Sequence, residues 1–197
     1  MISYLKGRLV RKEPTFAVVD VNGVGYHVII SLQTYSEIKD QEQITLFTHL
    51  NIREDAHILF GFSRENERRL FQHLISVNGV GPSTAIVMLS YLSIEELRTA
   101  IVREDVTTLQ RIKGIGGKTA QRVIIELKDK LRKDSPEEAL QSISGTGHNT
   151  LRNEALSALI TLGISKSAAE KSVDAVLKKS GNTVTLEDLV KQALKNA

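Results

Sequence analysis

One pattern of thirteen residues occurs twice in this chain and constrains its fold more than any other feature. The sequence VNGVGPSTAIVML occupies residues 77–89, and IKGIGGKTAQRVI occupies residues 112–124, which lie 35 positions later. Each copy places a Gly-aliphatic-Gly triplet shortly before a Thr-Ala pair, at which a helical pattern opens. Since a repeated pattern indicates a repeated structural unit, the sequence predicts two elements of helix, short hairpin and second helix.

The order of residues within each copy favours the binding of an anion. Glycine lets the backbone turn tightly and approach a ligand closely. The first N–H groups of the following helix have no partner within the helix, and the helix dipole makes that end positive. Two such elements predict contacts with two phosphates of one nucleic-acid backbone, without any reading of bases. The residues assigned to these contacts are Gly79, Val80, Gly81, Ser83, Thr84, Gly114, Ile115, Gly116 and Thr119.

Three other interpretations of these glycines fit the sequence less well. A pair of ordinary helices that end at glycine would explain each copy but not the repetition. A phosphate-binding P-loop requires glycine at its first position, where Ile112 stands before Gly117, Lys118 and Thr119. A dinucleotide fingerprint requires a third glycine where Thr119 stands and a preceding strand, whereas the preceding pattern is helical.

The excess positive charge lies in the segment that carries the repeat. Residues 64–133 contain 13 Lys and Arg against 8 Asp and Glu. Residues 1–63 contain 6 against 7, and residues 134–197 contain 7 against 8. A local excess of positive charge is the electrostatic footprint of nucleic-acid binding, and here it coincides with the repeat.

Composition excludes several classes of protein. The chain has no cysteine, so disulfides, thiolate metal sites and a cysteine nucleophile are impossible. Its five histidines show no spacing typical of metal ligands, and we expect neither a metal nor a cofactor. No apolar run approaches the roughly 20 residues that a membrane helix needs, and no secretory signal follows Met1. We therefore expect a soluble, cytoplasmic protein.

The first third of the chain predicts a small β-barrel. Asn22-Gly23 lies between two apolar runs and is a strong signal for a two-residue hairpin. A turn that contains Glu54 and Asp55 separates the last two runs. The predicted strands cover residues 3–10, 16–21, 24–30, 44–52 and 57–62. About five strands in such a short segment most simply close into an OB-fold barrel.

The predicted fold class is α+β with several domains. Helical periodicity follows the barrel, and a segment rich in Ser, Thr and Gly interrupts it before three short helical patterns at the end of the chain. That last segment has no excess positive charge and predicts a protein-binding module. The predicted domains are the OB-fold barrel (1–63), a tandem helix-hairpin-helix domain (64–133), a flexible linker (134–150) and a three-helix domain (151–197).

The chain resembles the RuvA family of Holliday-junction-recognising subunits over essentially its whole length. The resemblance covers both hairpins and is weakest in the linker. It is also carried by Gly23-Val24-Gly25-Tyr26, Arg53-Glu54-Asp55-Ala56, Leu59-Phe60-Gly61-Phe62 and Glu126-Leu127-Lys128-Asp129-Lys130.

The resemblance implies a homotetramer, or an octamer of two tetramers, that holds a four-way DNA junction open and square-planar. This activity serves branch migration in homologous recombination, DNA repair and the SOS response to DNA damage. The resemblance also implies that Lys118 and Arg122 contact phosphates and that Glu54 and Asp55 form an acidic pin near the crossover. From the residues alone, two carboxylates on a turn indicate only a solvated loop.

The resemblance further implies two protein partners. The last domain would bind a hexameric RuvB-type ATPase through an apolar face at Leu159, Leu162 and Ile164, and a RuvC-type resolvase would join the same complex. The chain departs from the family where Ser83 and Gly117 replace frequent lysines. Fewer positive charges predict weaker DNA binding and a shallower dependence on salt.

These expectations describe a DNA-binding subunit with no catalytic residue of its own. The alternative is a helix-hairpin-helix glycosylase or nuclease. A glycosylase needs a catalytic Asp beyond its hairpin, where the first candidate is Asp129 in a charged helical stretch. A metal nuclease needs more clustered carboxylates than Glu54 and Asp55. A single-stranded-DNA-binding barrel is disfavoured by an aromatic content of 5% and by the negative charge of the β segment.

Overall fold

Five strands at the start of the chain close into a barrel. The computed structural model describes residues 2–133, 148–180 and 184–196. The strands are β1 (Tyr4–Glu13), β2 (Phe16–Val21), β3 (Val24–Ile30), β4 (Gln43–Ile52) and β5 (His57–Phe62). Their order around the barrel is β1-β2-β3-β5-β4, and the contact between β3 and β5 is parallel. This arrangement confirms the predicted OB-fold.

The turn between β2 and β3 is the predicted two-residue hairpin. Asn22 has φ of 52° and Gly23 has φ of 90°, which are the left-handed values that this turn requires. The Gly23 N–H donates a hydrogen bond of 3.0 Å to Oδ1 of Asp20, at the end of β2.

A short helix between β3 and β4 corrects the expectation that residues 1–63 contain only strands. Helix α1 (Leu32–Ile38) begins after Ser31, whose Oγ accepts a hydrogen bond of 3.0 Å from the Thr34 N–H. Seven residues are too few to show helical periodicity in the sequence. Burial of Thr34 and Ile38 together with the cap accounts for the helix.

Five helices follow the barrel and share its packing. They are α2 (Glu65–Ile75), α3 (Pro82–Tyr91), α4 (Ile94–Val102), α5 (Val106–Gln110) and α6 (Gly117–Lys133). Phe71 on α2 lies with its ring centroid 5.2 Å from that of Phe60 and 4.9 Å from that of Phe62. Both partners belong to β5, so the barrel wall is part of the helical core. Residues 1–133 accordingly form one compact unit.

The described residues of the second compact unit form three helices, as the sequence predicts. They are α7 (His148–Thr161), α8 (Lys166–Ser180) and α9 (Leu186–Asn196). Arg152 on α7 donates two hydrogen bonds, of 2.7 and 3.0 Å, to the Asp174 carboxylate on α8. The predicted linker (134–150) overlaps α7 by three residues, 148–150. Its other residues, 134–147, lie outside the described part of the chain.

A buried carboxylate joins α2 to the barrel. Glu67 is 2% exposed and accepts hydrogen bonds from Ser31 Oγ at 2.5 Å and from Thr34 Oγ1 at 2.7 Å. Thr34 Oγ1 in turn accepts one of 3.2 Å from the Ser63 N–H. Burial raises the pKa of the Glu67 carboxyl above its ordinary range, although these hydrogen bonds oppose the shift.

Glu67→Gln should remove a pH dependence from the stability of this unit. The folded pKa is raised, so the carboxyl stabilises the fold most below its ordinary value of 4.5. That contribution is lost as the pH rises through the folded pKa. The free energy of unfolding of the wild type, minus that of the variant, should therefore fall as the pH rises from 4.5 and then level off. Urea unfolding at a series of pH values measures this difference, and a constant difference would contradict the expectation.

Candidate nucleic-acid interface and partner surface

The two hairpins have the same backbone geometry. Gly79 has φ of +92° and Gly114, its counterpart 35 positions later, has φ of +91°. In the first hairpin the N–H that follows this glycine donates to the Val77 carbonyl at 3.0 Å. In the second, the equivalent N–H donates to the Ile112 carbonyl at 3.0 Å. The sequence repeat is therefore a structural repeat, and a left-handed glycine forms each turn.

The central residue of each triplet needs a correction. Val80 is 4% exposed and Ile115 is 5% exposed, and both side chains lie in the helical core. Their N–H groups are the donors used within the turns. These two residues anchor the hairpins, and they offer neither a side chain nor a free N–H to a phosphate. The apolar character of the position was a signal for burial that the sequence analysis did not use.

The last glycine of each triplet faces open space. A Cβ atom built on Gly81 or Gly116 would meet no atom of the chain within 4 Å. Gly81 has φ of −84°, which any residue can adopt. The fold itself therefore does not require glycine at these positions. A ligand that must approach the backbone closely would require it.

Each open glycine lies at the start of a helix. The first bonds within the helices run from the Ala85 N–H to the Gly81 carbonyl, 3.0 Å, and from the Ala120 N–H to the Gly116 carbonyl, 2.9 Å. The N–H groups before these donors have no partner inside the helix. No side chain caps α3 at Gly81. The positive ends of the two helix dipoles thus coincide with open backbone.

The predicted polar residues lie in the first turns of α3 and α6. Ser83 and Lys118 occupy equivalent positions and are exposed, whereas Thr84 and Thr119 beside them are half-buried. The second hairpin therefore carries a positive charge that the first lacks. At Gly117, the other departure from the family, an added Cβ would lie 2.6 Å from the Gln110 side-chain nitrogen.

Arg122 connects the two hairpins. Its Nη1 donates a hydrogen bond of 3.1 Å to the backbone carbonyl of Asn78 in the first hairpin, although Arg122 belongs to α6, after the second. The side chain is largely exposed. The guanidinium of a residue on α6 therefore adds positive charge beside the first turn.

The second hairpin carries a further cation, which was not among the predicted site residues. Lys113 is exposed directly before the left-handed Gly114, at the position that Asn78 takes in the first hairpin. Alignment of the two copies would have identified it as a lysine on a hairpin turn. Its charge lies close to the site where Gly117 replaces a frequent family lysine.

The acidic turn lies between β4 and β5, as expected. The Arg53 N–H donates to the Ala56 carbonyl at 2.9 Å and closes the turn. Glu54 and Asp55 are both exposed.

This turn ends a projecting ribbon of two strands. The pairing of β4 with β5 continues to Ile52 and His57. The neighbouring strands stop earlier: β1 pairs with β4 only as far as Phe47, and β3 pairs with β5 only from Leu59 onward. The tip of the ribbon therefore extends past the ladders that form the barrel, and it carries the two carboxylates outward.

The histidines on this ribbon differ in environment. His57 is exposed, and His49 is half-buried with its ring 5.4 Å from that of Phe71. Burial lowers the pKa of His49, and the nearby Arg68 guanidinium lowers it further. Within residues 2–133, 148–180 and 184–196, no three or more His, Cys, Asp or Glu side chains cluster in a way that could hold a metal ion. In the same ranges, no helix is both long and apolar enough to cross a membrane.

The predicted partner-binding residues divide into core and surface. Leu159 is completely buried in the three-helix core, so its assignment to partner contact is corrected. Leu162 is 61% exposed, and Ile164 is half-buried against the core. Ile160, which the sequence analysis did not assign, is 46% exposed. Leu162 and Ile160 are therefore the exposed apolar residues of this stretch, and Leu194 (40%) and Leu186 (36%) on α9 are exposed as well.

The barrel and the paired hairpins define the class of the protein: an OB-fold barrel joined to a tandem helix-hairpin-helix unit. Three family models match the chain in this order. Residues 1–61 match the RuvA N terminal domain, residues 71–129 match the SAM-like Helix-hairpin-helix tandem, and residues 150–197 match the RuvA C-terminal domain.

Full-length relatives agree with these models. The Holliday junction branch migration complex subunit RuvA of Cytophaga hutchinsonii is 54% identical over 198 residues, which cover 99% of each chain. The protein of the same name from Flavobacterium psychrophilum is 47% identical over 196 residues and 100% of each chain. That of Pseudomonas putida is 39% identical over 202 residues, 99% of this chain and 98% of its own. The chain belongs to the RuvA family.

Gly81→Ala and Gly79→Ala should separate DNA binding from stability. The methyl group at position 81 meets no atom of the chain within 4 Å, so the loss of stability should be at most the difference between glycine and alanine at a helix N-cap, about 1 kcal/mol. It would stand between the backbone and a phosphate, and DNA affinity should fall about tenfold, the loss of one charge-assisted hydrogen bond. At position 79, with φ of +92°, alanine should cost about 1–2 kcal/mol of stability.

Urea unfolding and gel-shift titration of both variants measure the two effects. Wild-type affinity in a fully folded Gly81→Ala protein would remove this hairpin from the DNA-binding surface.

Proposed function

We propose that this protein is a non-catalytic subunit that recognises four-way junction DNA and holds it open for branch migration. The observation that carries the proposal is the pair of identical hairpins with open helix starts, connected by Arg122 within the same compact unit as a projecting acidic ribbon. Hairpins of this kind bind backbone phosphates, and the ribbon discriminates against continuous duplex. Membership of the RuvA family supports the same function.

The hairpins supply affinity without base recognition. Backbone N–H groups at the starts of α3 and α6 donate to phosphate oxygens, and the helix dipoles favour the negative charge. The exposed side chains of Lys113, Lys118 and Arg122 add positive charge to the two hairpins. Phosphate contacts of this type fix the register of a duplex arm but carry no sequence information.

The acidic ribbon supplies the preference for a junction. Glu54 and Asp55 repel phosphates, and the repulsion is greatest where the backbone cannot move away. A continuous duplex carries charge along its whole length, with one phosphate per about 1.7 Å of axis. An open junction spreads its four arms and leaves a centre with fewer phosphates. The same carboxylates therefore penalise a duplex more than an open junction.

The number of arms suggests the number of subunits. If one pair of hairpins binds one arm, a four-way junction requires four copies of the protein, arranged with four-fold symmetry. Two such tetramers could enclose the junction from both faces. Closed symmetric assemblies of identical chains are the common form of oligomer. We therefore propose a homotetramer, or an octamer formed by two tetramers, that acts in the bacterial cytoplasm.

The energy for branch migration comes from a partner. The sequence carries no complete phosphate-binding P-loop, since Ile112 stands at its first position. We assign the three-helix unit to the binding of a RuvB-type ATPase, with Leu162 and Ile160 as its exposed apolar contact. A RuvC-type resolvase would bind the junction within the same complex.

Neutralising the ribbon should weaken the preference for junction DNA. In a competition gel shift, the wild-type protein should prefer an immobile four-way junction to linear duplex of the same arm sequence, without cleaved products. The double variant Glu54→Gln, Asp55→Asn should bind duplex more tightly, by about tenfold if each lost repulsion contributes about 0.5–1 kcal/mol. Its affinity for the junction should change less.

The control for general charge is Glu13→Gln, a half-buried carboxylate on β1 away from the ribbon tip. It should leave both affinities unchanged. Equal binding of junction and duplex by the wild type would contradict the proposed function, and so would strand cleavage.

Leu162→Ser and Leu159→Ala should affect different properties of the last unit. Leu162 is 61% exposed, so its replacement should leave unfolding unchanged and weaken binding to the ATPase by about tenfold, as for an interface hot spot. Leu159 is 0% exposed, so its truncation should cost about 2–5 kcal/mol of stability. Calorimetric titration with the purified ATPase and thermal unfolding give the two readouts. Unchanged ATPase affinity in Leu162→Ser would move the contact to another surface.

A further inference from the structure

One apolar side chain is exposed where the strand pattern predicts burial. The inward-facing residues of β4 are buried through most of the strand: Ile44 is 3% exposed, Leu46 0% and Thr48 2%. Leu50 is half-buried. Ile52 continues the same alternation but is 65% exposed.

The projecting ribbon explains this exposure. Ile52 pairs with His57 in the last recorded pair before the turn, five residues beyond the last residue of β4 that pairs with β1. The barrel core therefore ends before the strand does. By the alternation of β4, Ile52 belongs to the inward-facing set, but the barrel has no interior at this level. Its side chain is therefore exposed to solvent next to the acidic turn.

The surroundings restrict what can cover Ile52. Glu54 and Asp55 are two and three residues away, and both are exposed carboxylates. Phosphates are repelled by these charges, and an isoleucine gives a charged group no compensation for lost water. Within DNA, the uncharged and weakly hydrated surface is the face of a base pair. Such a face is accessible only where stacking is interrupted, as at the centre of an open junction.

We propose that Ile52 packs against the exposed face of a base pair at the crossover and so determines specificity for open junctions. This inference rests on the proposed function, because it requires the ribbon to lie at the junction centre. The carboxylates exclude phosphates from that centre, and the isoleucine covers the base-pair face that opening exposes. Apolar side chains of other DNA-binding proteins contact unstacked base steps in a similar way.

A matched pair of variants tests the contact. Ile52→Val and Ile52→Thr are nearly isosteric with each other and both favour a strand, so they differ mainly in the replacement of a methyl by a hydroxyl group. Ile52→Val should bind the junction almost as the wild type does. Ile52→Thr should lose about threefold to tenfold in junction affinity, as expected for the loss of apolar burial, and nothing in duplex affinity. Val10→Thr, at a β1 position that is 55% exposed, is the control for surface hydrophobicity.

A fluorescent base gives a second readout. With 2-aminopurine at the crossover, wild-type protein and Ile52→Val should change the fluorescence of the junction on binding, and Ile52→Thr should change it less at saturation. Light scattering of the wild type and Ile52→Thr without DNA measures their oligomeric states. It shows whether Ile52 contributes to a contact between subunits rather than to a contact with DNA. An altered oligomeric state in Ile52→Thr would overturn the proposal, and so would wild-type junction affinity and fluorescence in that variant. If the wild type itself does not prefer the junction, the proposed function fails first.

Discussion

Phe71 packs against Phe60 and Phe62, and this contact connects the two parts of the DNA-binding unit. Phe71 belongs to α2, the helix before the first hairpin. Its partners belong to β5, the strand that follows the acidic turn. The buried Glu67 on α2 also joins this helix to the barrel side of the unit, because its carboxylate accepts hydrogen bonds from Ser31 and Thr34. The barrel and the hairpins therefore belong to one compact unit. The proposed function depends on this packing, because attraction at the hairpins and repulsion at the ribbon must act on the same DNA.

The two hairpins depend on a compromise between packing and exposure. The buried side chains of Val80 and Ile115 anchor the two turns in the core. The residue after each of them, Gly81 or Gly116, faces open space. A buried anchor restricts the turn, so we expect its N–H groups to need little ordering when they bind a ligand. This arrangement supports the proposed binding of backbone phosphates. The proposed specificity then comes from the ribbon, where charge and an exposed isoleucine act on the junction centre.

Local patterns predicted most elements of the fold. Asn22-Gly23 predicted its hairpin, five short apolar runs predicted the strands of the barrel, and the repeat predicted both glycine turns. Helix α1 was missed because seven residues cannot show helical periodicity, and its stability depends on a cap and on burial against distant residues. Leu159 was assigned to a partner surface through the family resemblance, but an apolar residue on a helix can face the core or solvent, and only packing decides between them.

The sequence by itself determined the chemistry of the protein: glycines before helix starts, positive charge in the same segment, and two carboxylates on a turn. These are local properties, set by backbone conformation and by side-chain charge. Tertiary structure alone decided which residues are accessible and which act together. It buried Val80 and Ile115, brought Arg122 to the carbonyl of the first hairpin, and left Ile52 exposed where the barrel ends. Such facts depend on contacts between residues far apart in the chain, which a pattern of neighbours does not contain.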